Sequence, residues 1–169
     1  MVNERYPIGE FECEDIISMA QVAKWIEEIR VLPSQLSEVV SELSEEELNQ
    51  PYRKNGWTIR QVIHHIADSH TNSYIRFKLA LTEDAPTIKS YNQDEWANLP
   101  DSTMPISVSL KIIDSLHERW TYLLQSLTAE QLKRTFHHPV SGQVTLERNI
   151  GIYAWHGQHH LAQIKNALK

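Results

Sequence analysis

Clustered histidines near the C-terminus are the first chemical signal in this chain. The segment YAWHGQHHLAQI, residues 153–164, carries His156, His159 and His160 within five positions. Residues four apart on an α-helix lie on the same face one turn apart, so a helix here would project His156 and His160 in one direction. Two imidazoles at this spacing can bind one metal ion. The sequence therefore predicts a metal site that includes this pair.

A third ligand is expected from another helix, because catalytic zinc-type sites use three protein ligands and leave one position for water. The segment WTIRQVIHHIADSH, residues 57–70, supplies His64, His65 and His70. If it is helical, His70 lies on the apolar stripe, His65 lies on a polar strip at its edge, and His64 points nearly opposite, towards solvent. A lone histidine on an apolar stripe is typically a core residue. Spacing alone leaves both His65 and His70 open as the third ligand.

Several polar residues lie where they could assist such a site. Orienting an imidazole or a bound water requires hydrogen-bond partners beside the ligands. The candidates for this role are Asn149, Tyr153, Gln163 and Asp68. Arg76 ends the polar strip three turns from His65, too far to touch the ion, but it could bind a substrate carboxylate through two hydrogen bonds.

Composition limits the classes of partner. The chain has 169 residues, a net charge of −6 and 41% hydrophobic residues, which is typical of a soluble globular protein without a nucleic-acid partner. No apolar run is long enough to span a membrane, and the acidic N-terminus lacks the apolar region of a secretory signal. Cys13 is the single cysteine, so no internal disulfide can form. We expect a cytoplasmic protein with a small-molecule substrate and no membrane partner.

Helical periodicity and few glycines predict an all-α protein, a single domain over residues 1–169. Long helices are expected near residues 15–43, 59–81, 106–127 and 146–169, with a kink or restart at Pro33. Capping boxes at residues 44–47 and 128–131 each predict the start of a short helix, the first of which ends before Pro51. The architecture that fits is a four-helix bundle with a long crossover between its second and third helices.

The crossover, residues 82–105, is the expected substrate-recognition element or lid. Tyr91 and Trp96 lie in it and could close over a pocket, and NQDEWAN could form a short helix within it. The segment HHPVSGQV, residues 137–144, is expected to be a turn-rich loop. His117 and the pair His137/His138 are expected to face solvent.

Both histidine segments, together with NSYIRFKLALTEDAPTIKSY, resemble the DinB/YfiT-like superfamily of four-helix-bundle metalloproteins over nearly the whole chain. The family's triad is one histidine before -x-x-Asp on the second helix and an H-x-x-x-H pair on the last helix. It matches His65, which precedes Asp68 by three residues, together with His156 and His160. The resemblance thus favours His65 over His70. It also implies one divalent ion per chain, zinc or nickel, and a homodimer.

The resemblance implies a metal-dependent hydrolase, in which the ion activates water. Bacillithiol-type S-transferases of the same group are also similar, so transfer of a low-molecular-weight thiol to small electrophiles is the alternative. In either reaction the ion's activated water or thiol would be the reacting group, and no protein nucleophile is predicted. A non-catalytic structural metal site is the third possibility; it would be closed by four ligands.

Overall fold

Four long helices form the body of the computed structural model, which describes residues 4–169. They are α1 (Met19–Val40), α3 (Ile59–Thr82), α5 (Ile106–Gln125) and α7 (Leu146–Ala167). Helix α1 packs against α5 and α7, and α3 packs against the same two helices. The order around the bundle is therefore α1, α5, α3, α7, so the two histidine-bearing helices α3 and α7 are neighbours. The predicted all-α four-helix bundle is confirmed.

Short elements connect the long helices. They are α2 (Glu45–Leu48), α4 (Gln93–Ala97), a 3₁₀ turn (Pro100–Thr103) and α6 (Ala129–Leu132). The predicted capping boxes are present at Ser44, Thr58 and Thr128, where each hydroxyl accepts from the backbone three residues on. Residues 4–169 contain three short α-helices, the two predicted from capping boxes and the one expected within NQDEWAN. Helix α1 does not restart at Pro33, which lies inside it.

A small β-hairpin replaces the turn-rich loop expected after α6. Strand β1 (Thr135–His138) pairs antiparallel with β2 (Gly142–Thr145), and Phe136 opposite Val144 is buried. Gly142 has a φ of 78°, a conformation that glycine adopts without strain. The loop expectation was wrong because four-residue strands are too short to display a period of two.

Two histidines that were expected in solvent are buried. His64 is 6% exposed, and its ring nitrogens lie 2.7 Å from Ser109 Oγ and 2.9 Å from the Met104 carbonyl oxygen. His117 is 1% exposed and donates to the Ile29 carbonyl over 2.6 Å. Helix α3 is covered by α5, by α7 and by the crossover, so it has few solvent-facing positions. Of the hairpin pair, His137 is exposed as expected and His138 is half-buried.

Helices α1 and α7 approach closely at Gly157, beside the C-terminal histidines. A Cβ atom at this position would lie 2.5 Å from Cδ2 of Leu32, which is itself 1% exposed. We expect Gly157→Val to lower the free energy of unfolding by about 1–3 kcal/mol through overpacking, measured by urea denaturation. Adding Leu32→Ala should recover part of this loss, because the two side chains compete for one volume. Strictly additive losses in the double variant would contradict the contact.

Over residues 4–169, the helices are all too short or too polar to qualify as membrane spans.

Candidate metal centre

Local sequence fixes where each histidine-bearing helix begins. Thr58 Oγ1 accepts from Gln61 N over 3.1 Å, while Gln61 Oε1 accepts from Thr58 N over 3.0 Å, so α3 begins at Ile59. Thr145 Oγ1 accepts from Arg148 N over 3.3 Å, so α7 begins at Leu146. These caps satisfy backbone N–H groups that a helix start leaves unpaired.

Three imidazole nitrogens converge between α3 and α7. Nε2 of His65 and Nε2 of His160 each lie 3.2 Å from Nε2 of His156. The three potential ligand atoms all lie within 4.8 Å of one another. Bonds of about 2.0–2.1 Å to a tetrahedral ion separate ligand nitrogens by about 3.3 Å. The spacing therefore fits three ligands of one divalent ion.

The three rings are neutral at pH 7. Burial lowers the pKa of His156 and His160 well below that of free imidazole, and neighbouring imidazoles add to the effect. Burial, and then the nearby His159, lower the pKa of His65 to about 4. Metal binding requires the unprotonated nitrogen. The lone pairs needed for an ion are thus present at neutral pH.

Gln163 sets the orientation of His160. Its Nε2 donates to the carbonyl of Arg5 over 3.0 Å, and a carbonyl can only accept, so the amide oxygen faces the other way. That oxygen lies 2.8 Å from Nδ1 of His160. His160 therefore carries its proton on Nδ1 and leaves Nε2 free for an ion. His159 lies outside the cluster, where its ring stacks on Trp155 and its Nε2 accepts from Gln163.

Asn149 and Tyr153, which were predicted to assist the metal site, lie two turns and one turn before His156 on α7. Asn149 donates to Ser73 Oγ over 3.2 Å, within the buried α3–α7 interface. The ring of Tyr153 contacts His156, with centroids 5.5 Å apart, and its hydroxyl accepts from Arg76 Nη1 over 3.4 Å. The Arg76 side chain is buried there and does not line the pocket described below.

Asp68 lies on a different side of α3 from the convergence point. It lines a separate cavity with His64 and Asp101, and burial, with the Asp101 charge, raises the pKa of Asp68 to about 6. Among residues 4–169, no hydrogen bond joins its carboxylate to the three converging rings.

An open pocket of about 330 Å³ lies over the three nitrogens. Part of the His156 surface is exposed there, whereas His65 and His160 are buried. The Trp57 ring packs on His65, with centroids 4.6 Å apart. Besides the histidines, the wall includes Arg5, Tyr6, Tyr52, Arg53, Trp57, Trp155, Gln93 and Asp94.

The crossover contributes to this pocket through other residues than expected. Gln93 and Asp94, at the start of α4, line it. Tyr91 and Trp96 instead pack on each other, with ring centroids 4.3 Å apart, and are absent from the pocket wall. An aromatic residue in a crossover does not by itself indicate a pocket wall, because such residues also pack within the crossover and against the bundle.

Sequence comparison assigns this chain to a known superfamily. The family model of the DinB superfamily matches residues 28–164, and the chain belongs to that superfamily. A Bacillus cereus protein named "Putative metal-dependent hydrolase" is 53% identical over 165 residues, which cover 98% of this chain and 95% of the relative. A protein of the same description from Halalkalibacterium halodurans is 52% identical over 167 residues, covering 99% and 98%.

Solved structures agree with the architecture. YfiT from Bacillus subtilis, described as "a probable metal-dependent hydrolase with an unusual four-helix bundle topology", is 48% identical, with a TM-score of 0.95 and coverage of 98% and 96%. TT2238, "a four-helix bundle protein", is 16% identical with a TM-score of 0.56, over 83% of this chain and 94% of its own, and shows the fold alone. The predicted family and fold are confirmed.

Proposed function

We propose that this protein is a metal-dependent hydrolase whose divalent ion is bound by His65, His156 and His160. The observation that carries the proposal is the convergence of three neutral Nε2 atoms, two of them 3.2 Å from the third, beneath an open pocket. The names of the relatives with 52–53% identity point to the same class. Zinc and nickel both suit imidazole ligands and are the proposed ions.

The open pocket favours a catalytic site over a structural one. A structural zinc site is closed by four protein ligands. Within residues 4–169 the cluster of candidate ligand side chains holds three histidines and no fourth residue. The partly exposed edge of His156 faces the pocket, so a substrate can reach the position that the protein leaves open.

The pocket residues suggest how a substrate would be held. An ion bound there would lower the pKa of a coordinated water towards about 7 and polarise a substrate carbonyl. Arg5 and Arg53 place positive charge on the wall and favour a substrate that carries an anionic group. They take over the role first expected of Arg76. Asp94 is exposed and lines the same pocket, and its carboxylate is the proposed acceptor of a proton from water.

Thiol S-transfer is the second candidate, and the neutral ligand set favours it. Three uncharged imidazoles leave the charge of a divalent ion uncompensated, and such an ion holds a thiol in its deprotonated form. The positive wall formed by Arg5 and Arg53 also suits a thiol that carries carboxylates. Hydrolysis and S-transfer would use the same ligands and the same pocket.

One assay separates these functions. Zinc- or nickel-loaded protein is incubated with a panel of activated esters and amides, and separately with bacillithiol or cysteine plus monochlorobimane. For the hydrolase we expect thiol-independent turnover that a chelator abolishes. Chelator-sensitive conjugation that requires a thiol would establish the transferase instead. No turnover of either kind at one ion per chain would favour the structural site.

A further inference from the structure

A row of buried histidines lies behind His156, on the side away from the other two proposed ligands. His70 Nε2 is 3.0 Å from His156 Nδ1, and His70 Nδ1 is 2.8 Å from His117 Nε2. The row ends where His117 Nδ1 lies 2.6 Å from the carbonyl oxygen of Ile29. His70 and His117 are 0% and 1% exposed. The three contacts run through α7, α3, α5 and α1 in turn.

Pro33 explains why a carbonyl in the middle of a helix is available to His117. In an α-helix the carbonyl of Ile29 would accept from the N–H of residue 33. Proline has no N–H, so this bond is missing although α1 continues through the position. An unpaired carbonyl inside the bundle needs a donor, and His117 supplies it. The residue that was expected to break α1 instead provides the end point of the row.

The carbonyl determines the position of every proton in the row. It can only accept, so His117 must carry its proton on Nδ1. With one N–H on each ring, every contact in the row joins one donor to one acceptor. Nε2 of His117 therefore accepts from Nδ1 of His70, and Nε2 of His70 accepts from Nδ1 of His156. Nε2 of His156 is left with its lone pair, and it faces His65 and His160.

We propose that His70 and His117 are positioning residues that hold His156 in its metal-binding tautomer and orientation, anchored on the Ile29 carbonyl that Pro33 leaves free. Metal-ligating histidines commonly donate their second N–H to a carboxylate, carbonyl or water, which fixes the ring and raises its basicity. Here His70 and His117 connect His156 to a backbone carbonyl by successive hydrogen bonds. The predicted effect on metal affinity rests on the proposed metal site, but the predicted tautomers do not require a bound metal.

The experiment compares two buried histidines of the same helix. His70→Phe keeps an aromatic ring but removes both hydrogen bonds, and His64→Phe does the same where the partners are Ser109 and Met104, away from the converging rings. Zinc affinity is measured by competition with a chelator, and the free energy of unfolding by urea denaturation. We expect His70→Phe to weaken zinc binding about 10–100-fold, with one ion still bound at saturation. His64→Phe should stay within about threefold of the parent protein.

A rescue variant and a spectroscopic measurement distinguish positioning from general destabilisation. His70→Gln carries an amide oxygen near the position of Nε2, which can accept from His156, so we expect it to recover most of the affinity. In the metal-free protein at pH 7.5, ¹⁵N–¹H correlation spectra should show the Nδ1–H tautomer for His156, His70 and His117. His70→Phe should lose that preference at His156. If His70→Phe does not fold, His117→Phe, one step further away, should show a smaller loss in the same direction.

Two results would overturn the proposal. One is a proton on Nε2 of His156 in the metal-free parent protein. The other is equal zinc affinity in His70→Phe and His64→Phe. Because the tautomers are measured without metal, a protein that binds no zinc but shows three Nδ1–H rings would refute the metal site while retaining the histidine row.

Discussion

His156→Ala is expected to abolish binding of one divalent ion per chain. Loss of a residue that only hydrogen-bonds a metal ligand lowers metal affinity by up to about 100-fold, and loss of the ligand itself should lower it further. His156 is the central ligand, since its Nε2 lies 3.2 Å from those of both His65 and His160. Removing it leaves two nitrogens that belong to different helices. Metal content after dialysis, and zinc affinity by chelator competition, are the measurements. Chelator-sensitive turnover should disappear with the ion.

Histidines close to the cluster provide the controls. His159→Ala should retain one ion per chain, because His159 stacks on Trp155 and lies outside the convergence point. His65→Ala and His160→Ala should lose the bound ion, as His156→Ala does. Equal loss of metal stoichiometry in His65→Ala and in the His70 variants would contradict the assigned triad, as would a bound ion retained in His156→Ala.

Acid is expected to unfold the metal-free protein between about pH 6.5 and 4. Burial lowers the pKa of His65, His117 and His159 to about 4, and it also holds the pKa of His70 well below that of free imidazole. In the unfolded chain each imidazole has a pKa of about 6.5. Between these pH values the unfolded state therefore binds more protons than the folded state. Stability is fully present above pH 6.5 and is lost as the pH falls towards 4.

The size of this loss should make the transition steep. Each such histidine lowers the free energy of unfolding by about 1.4 kcal/mol for every pH unit that the pH falls within the window. Several of them acting together approach the roughly 5–15 kcal/mol that stabilises a typical domain. Tryptophan fluorescence and circular dichroism during acid titration would follow the transition. A metal-free midpoint at or below pH 4 would contradict it.

Zinc should shift the acid transition to lower pH. The ion binds neutral imidazoles in the folded state and so competes with protons. We expect the shift in the parent protein and in His159→Ala, but not in His156→Ala. An equal shift in His156→Ala would place the stabilising ion elsewhere.

Local patterns predicted most helix starts, although α1 spans Met19–Val40 rather than residues 15–43. Thr58, Ser44 and Thr128 each begin a helix where a capping box was predicted. Such caps depend on hydrogen bonds three residues apart, and a single sequence contains that information in full. The same is true of the pair His156 and His160, which share a face because they are four residues apart in one helix.

Burial of individual histidines was less predictable. His64 was expected to face solvent on the basis of helical periodicity, and His117 was also expected to be exposed, but both are buried. Periodicity reveals the most apolar stripe of a helix, but it does not show how many sides are covered. The crossover and α5 cover additional sides of α3 around His64, and α1 and α3 cover α5 around His117. Both imidazoles are hydrogen-bonded, so they are tolerated in the interior without an apolar pattern around them.

The sequence by itself determined an all-α chain, the starts of most of its helices and a histidine pair on the last of them. The packing of α3 against α7 decided what surrounds that pair. Spacing could not separate His65 from His70, and the structure shows that both contact the same ring from opposite sides. His65 meets Nε2 of His156 over 3.2 Å, and His70 meets Nδ1 over 3.0 Å. Which nitrogen each one reaches depends on how α3 is rotated about its axis, and that rotation is fixed by the contacts of α3 with α5, α7 and the crossover.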